Sequence, residues 1–192
     1  MMKKMHWMTI ILLLAVTALA GCSGTGDKTA SNDSSAASQA DVPQEITANL
    51  AGGEPYTLDP AFASDTTSYF VIDNLYEGLY TYDKAGKIVE GAASKVDVSP
   101  DGKTYTFTIR DGAKWSNGDP LTAKDFEYSW KRVLNPKTAA YDPSALYYIK
   151  GAEAYNTGKG KIEDVGVTAK DDKTLVVELK SPLSFFPTIA VG

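Results

Sequence analysis

Histidine and cysteine, the side chains that most often act as general base, nucleophile or transition-metal ligand, occur once each in the 192 residues, as His6 and Cys22. Both stand in a stretch patterned for export. Lys3 and Lys4 form a positive segment, Met8 to Val16 an almost unbroken apolar run, and Ala18 to Gly21 the small residues that a signal peptidase needs. Cleavage after Gly21 removes the histidine and makes Cys22 the first residue. Such a mature chain cannot assemble a Ser-His-Asp triad, a Cys-His pair or a His-containing zinc site. It also lacks G-x-S-x-G and the phosphate loop G-x-x-x-x-G-K-[ST]. Carboxylate pairs and Ser-Lys arrangements stay open in principle, and no spacing promotes one. The expectation is a protein with no catalytic residues, no metal site and no cofactor, and hence not an enzyme.

The lone thiol then needs another use. One cysteine makes no intramolecular disulfide, leaving an intermolecular bridge, a free thiol or a modified thiol. Leu19-Ala20-Gly21-Cys22 resembles the bacterial lipobox, in which the cysteine is acylated, and two or more acyl chains on one residue anchor stably where one would be marginal. Cys22 is therefore expected to be a lipid attachment site that tethers the protein to the outer face of the cell membrane. The apolar run falls short of the roughly 20 residues that span a bilayer. Loss of residues 1–21 leaves 17 lysines and arginines against 24 acids, a charge of −7. Only Arg110 and Arg132 are arginines, so nucleic acid is not an expected partner.

Stepping along the chain, 22–44 is small and polar after the cysteine and reads as a disordered spacer. Order is expected from Glu45, with Ile46, Ala48 and Leu50 alternating as a short strand and Gly52 to Pro60 rich in turns. A helix capped by Ser64 or Asp65 should follow. Its stripe of Tyr69, Ile72, Leu75, Tyr76 and Leu79 is expected in the core, and Gly78 should stop it. Leu79 to Asp83, Ile88 to Glu90 and Thr104 to Arg110 read as strands of an antiparallel meander. Thr122 and Asp125 form a capping-box-like start for a helix whose apolar face is Phe126, Trp130, Val133 and Leu134. Ser144 to Tyr155 reads as another helix, and Val165 to Ala169 and Thr174 to Lys180 as paired strands. Trp115, Trp130, Tyr147, Tyr148 and Tyr155 are expected to pack rather than to bind. The class is α+β. The apolar tail, Ser184 to Gly192, either folds back as a short helix or belongs to a longer protein.

Residues 101–136, DGKTYTFTIRDGAKWSNGDPLTAKDFEYSWKRVLNP, closely resemble a region shared by the peptide- and dipeptide-binding proteins of bacterial ABC importers, the OppA/DppA-like solute-binding family. Leu58-Asp59-Pro60 with Leu75-Tyr76-Glu77-Gly78-Leu79, and Val165-Gly166-Val167 with Asp171 to Leu175 and Ser181-Pro182, are similar to further landmarks of that family. The resemblance covers 45–192. It implies the N-terminal part of a two-lobed periplasmic-binding-protein-like clamp of type II, with a small extra domain. Residues 45–79 would begin lobe I, 80–182 form the extra domain, and 183–192 return to lobe I, where the sequence looks truncated before the second lobe. It also implies an oligopeptide ligand, ABC permease subunits with their ATPases as partners, and a monomer. Carried over residue by residue, ligand contacts fall on Ser64, Asp65 and Thr66, mainly through main chain, and on Tyr141.

Each of these has a plainer reading: Ser64 and Asp65 as helix caps, Tyr141 as a half-buried aromatic. Two other functions compete. A secreted enzyme acting on cell-wall or peptide substrates would show turnover, and an interaction or peptide-sensing protein would end at Gly192 and bind peptide weakly.

Overall fold

The computed structural model describes residues 45–50 and 52–191. Cys22 and the stretches expected to be signal peptide and spacer lie outside the described residues. Ala48 to Gly192 cluster as one unit; of the unit before it only Glu45 to Thr47 are described, and all three are exposed.

The centre of the fold is a helix on a sheet. Thr104–Ile109 alternates half-exposed threonines with buried Tyr105, Phe107 and Ile109, the period of a strand with one wet face. This strand, β4, lies between β3 (Ala93–Val98) and β6 (Thr174–Glu178), and β5 (Val167–Ala169) completes an antiparallel sheet of order β3-β4-β6-β5. Register places Phe107 opposite both Val96 and Leu175, and Tyr105 opposite Val98 and Val177. A separate hairpin pairs β1 (Tyr80–Tyr82) with β2 (Ile88–Glu90).

The described residues form two longer helices, of which the second packs on the sheet. The first, α1, spans Thr66–Leu75, and the second, α2, spans Ala123–Leu134. At the start of α2 the Asp125 carboxylate takes the Thr122 N–H at 2.7 Å and its hydroxyl at 2.8 Å, so the shorter acid still closes the box. Lys131 and Arg132 fill its last turn, where cations suit the dipole, and Asn135-Pro136 ends it. Trp130 and Leu134 are buried and Phe126 and Val133 pack beside them, as the spacing predicted. Short helices α3 (Ala152–Asn156) and α4 (Phe186–Ile189) complete the set. The tail folds back: Phe186 is fully buried, 4.6 Å from the Tyr105 ring and perpendicular to Trp130 at 6.3 Å, while Tyr80 donates its N–H to the Ala190 carbonyl.

Four expectations need correction. Residues 46–50 form no strand, because a strand needs a partner and among the described residues none runs beside them. In α1 the buried face is Thr67, Ser68 and Ile72. Tyr69, Leu75 and Tyr76 are exposed, and the helix ends at Leu75, short of Gly78. Strand β3 was not foreseen. Residues 144–155 are not one helix: Pro143–Leu146 is a 3-10 turn, and Ile149 and Lys150 then pair with Leu179 and Glu178 at the sheet, taking backbone groups a helix would have used. Gly151, at φ 71°, starts α3 afresh. Trp115, expected to pack, is half-exposed on a tight turn closed by Gly118 N–H to Trp115 C=O at 2.9 Å, whereas Tyr148, though half-exposed, does pack, meeting Phe185 edge-on at 5.4 Å.

Candidate functional site

The geometry begins at Asp59-Pro60. Proline suits the first position of a helical turn, and Pro60–Phe62 is one turn of 3-10 helix whose N-cap, Asp59, accepts the Ala61 N–H at 3.0 Å. The same carboxylate takes both arms of the Arg132 guanidinium, at 2.9 and 2.5 Å. This fork holds the Asp59 carboxyl below the usual carboxylate range, chiefly through the hydrogen bond from Arg132. The Arg132 guanidinium also sits over the Phe62 ring, 5.8 Å from its centre. The last turn of α2 thereby fixes a loop far from it in sequence.

Other bonds stiffen that loop. Buried Ser68 accepts the Thr57 N–H at 3.1 Å, Thr57 accepts the Asp59 N–H at 3.1 Å, and the Tyr69 hydroxyl donates to the Ala63 carbonyl at 3.0 Å. Ala63 and Asp65 have extended backbone, at φ −65° and −127°, so the chain from 63 to 65 runs as an open segment before α1 begins. Among the described residues neither main-chain group of Ser64 has an intramolecular partner. Asp65 is the N-cap of α1, its Oδ1 accepting the Ser68 N–H at 2.9 Å, and contacts with Ser68 pull its carboxyl below the usual range. Among the described residues its second oxygen is enclosed without a hydrogen-bond partner.

Tyr141 arrives from the far side of α2. Its N–H donates to the Ala61 carbonyl at 2.8 Å, and Ala139 just before it holds a left-handed φ of 52°, a conformation that costs an alanine about 1 kcal/mol or more. The two loops enclose an open groove of about 540 Å³ lined by Tyr56, Thr57, Phe62, Ser64, Ala139 and Tyr141. Ser64 and Tyr141, both expected at a ligand site, thus share one groove. Asp65 and Thr66 stand beside it at the start of α1. Tyr56, Thr57, Phe62 and Ala139 complete the lining, and nothing local in the sequence marks them.

Among the described residues no lining side chain is charged. Hydroxyls, aromatic rings and main-chain groups can hold a molecule by hydrogen bonds and ring contacts, and among the described residues no cluster of acids, histidines or cysteines could hold a metal ion.

The family model for bacterial extracellular solute-binding proteins, family 5, middle part, matches residues 87–191, more than half of the chain. The chain belongs to this family. Among similar members are the oligopeptide-binding protein OppA of Bacillus subtilis, 46% identical over 185 residues, which are 96% of this chain and 33% of that protein, and its dipeptide-binding protein DppE, 50% identical over 136 residues, 71% of this chain and 25% of that one. Family members of known structure agree. Haemophilus influenzae OppA in complex with the peptide RPPGFSPFR superposes with a TM-score of 0.70 at 41% identity, covering 73% of this chain and 28% of the other. An oligopeptide transporter substrate-binding domain from Bacillus anthracis gives 0.68 at 44%, covering 69% and 26%. The chain thus spans about a third or less of the length of these family members. Its α+β architecture is part of their two-lobed type II fold, and the binding-protein family it joins is a transport component rather than an enzyme.

Proposed function

We propose that this chain forms one wall of a lipid-anchored extracellular binding protein that captures oligopeptides and delivers them to an ABC importer. The observation that carries the reading is the extended segment at Ser64, whose main-chain groups have no partner among the described residues and border an uncharged groove shared with Tyr141. An extended peptide can add there as a strand, gaining affinity from main-chain hydrogen bonds without reading side chains. Family membership and the peptide-bound relative support the ligand class. Asp65 and Thr66 would border the bound main chain from the start of α1. Residues 45–79 would open lobe I, 80–182 form the extra domain and 183–192 return to lobe I, with a second lobe closing over the ligand. Cys22, acylated, would tether this monomer beside the permease subunits and ATPases that supply the transport energy.

Calorimetry on the natural full-length protein tests the reading. Tri- to pentapeptides should bind, and methylating one peptide-bond nitrogen at a paired position should weaken binding at least about tenfold, the effect of a lost charge-free hydrogen bond plus a clash. No binding, or indifference to methylation at every position, would sink it. The anchor has its own check: Cys22→Ser should remove a diacylglyceryl mass increment and release the protein from membranes.

A further inference from the structure

The groove's side chains point beyond main-chain capture to a preference among ligand side chains. Three of its lining residues are aromatic, and among the described residues little covers them: Tyr56 is 81% exposed, Tyr141 66% and Phe62 36%. Exposed rings on a stiff frame are ready-made contact area, because little conformational freedom is lost when they are covered. The frame is held at two of the three rings. Phe62 lies in the turn capped by Asp59 and stacks against Arg132, and Tyr141 is bonded through its own N–H to Ala61.

Among the described residues, no charged side chain lines the groove itself. Asp59 and Arg132 satisfy each other through two hydrogen bonds, and Asp65 caps α1. A ligand ammonium or carboxylate entering the groove would lose water and find no opposite charge, whereas an apolar ring would find three rings to cover. The hydroxyls of Thr57 and Ser64 lie at the groove for neutral polar groups beside that ring.

We propose that the groove of Tyr56, Phe62 and Tyr141 is a subsite for one bulky apolar side chain of the bound peptide, aromatic above all, and that it disfavours charged side chains at that ligand position. The inference rests on the peptide-binding reading above and names which peptides the site takes.

The test uses the natural full-length protein and oligoalanine peptides carrying Phe, Leu, Lys or Glu singly at each position, with affinities from calorimetry. At one position Phe and Leu should bind about tenfold more tightly than Lys and Glu. Phe62→Ala and Tyr141→Ala should each reduce that ratio to about twofold or less at the same position, and Phe62→Glu should turn the preference toward Lys. Tyr82→Ala, on the solvent side of the β1–β2 hairpin, should leave the ratio unchanged. If peptides bind but no position shows the preference, or if it survives both Phe62→Ala and Tyr141→Ala, the subsite is overturned and peptide capture stands. If no peptide of the set binds at all, the peptide reading falls and takes the subsite with it.

Discussion

Asp59 and Arg132, separated by 73 positions, meet as a two-armed ion pair that ties the loop ahead of α1 to the last turn of α2. Each side chain is about one-third exposed, so the pair is neither a screened surface contact nor a buried charge awaiting compensation. Its worth lies in geometry: a planar fork meets a planar carboxylate that is also capping a turn. Arg132→Lys keeps the charge and loses the fork. It should cost about 1–2 kcal/mol in urea denaturation, and Asp59→Asn a similar amount. The double variant should cost much less than the sum, because each single change already breaks the pair. Additive costs would show that the two residues act independently.

The same pair gives an acid-side pH dependence. Arg132, through its hydrogen bond, holds the folded-state pKa of Asp59 below the ordinary 3.8. A carboxyl depressed on folding contributes its full stability above the unfolded value and loses it as pH falls through the folded one. Unfolding free energy measured from pH 6 down to pH 2 should therefore fall less steeply in Asp59→Asn than in the unsubstituted protein below about pH 4. Parallel curves would mean that Asp59 titrates alike folded and unfolded.

What could be read in the sequence was local. The capping box at Thr122 and Asp125 and the Phe126-Trp130-Val133-Leu134 stripe lie within one helix, and the threonine-aromatic alternation of β4 lies within one strand. Strand β3 stayed hidden because it is an edge strand: Lys95 and Asp97 face water, and a bulge between Ala93 and Lys95 breaks its alternation. The helical spacing at 144–155 was genuine but lost to the sheet, whose Leu179 and Glu178 claimed the backbone of Ile149 and Lys150. The groove divides the same way. Ser64 and Tyr141 could be placed by family motif, whereas Phe62 and Ala139 join it only through the contacts Asp59–Arg132 and Ala61–Tyr141, which no window of sequence contains.

Gly151 tests that competition between helix and sheet. It sits at φ 71°, and a Cβ there would fall 2.2 Å from the Asp164 carbonyl oxygen, a backbone atom that cannot simply rotate away. Gly151→Ala should destabilise by about 2 kcal/mol or more, combining left-handed strain with the clash. Gly112, also left-handed at φ 72° but with open space around it, is the control: Gly112→Ala pays the strain alone, about 1 kcal/mol. Equal costs at the two sites would remove the close approach to Asp164 from the account.

The returning tail makes a sharper comparison between neighbours. Helix α4 has four residues, far too few to persist by its own hydrogen bonds, so its position depends on what it buries. Phe186 is wholly buried against Tyr105 and Trp130, while Phe185 is half-exposed and meets Tyr148 edge-on. Phe186→Ala should cost about 3–5 kcal/mol, a large share of a domain's stability, and should alter Trp130 fluorescence. Phe185→Ala should cost about 1 kcal/mol or less. The Tyr80 amide, bonded to Ala190, should exchange with solvent much faster in Phe186→Ala because the partner carbonyl leaves with the tail. If the two substitutions cost the same and Tyr80 stays protected, the tail is held by its backbone contacts to Gly78 and Tyr80 rather than by the buried ring.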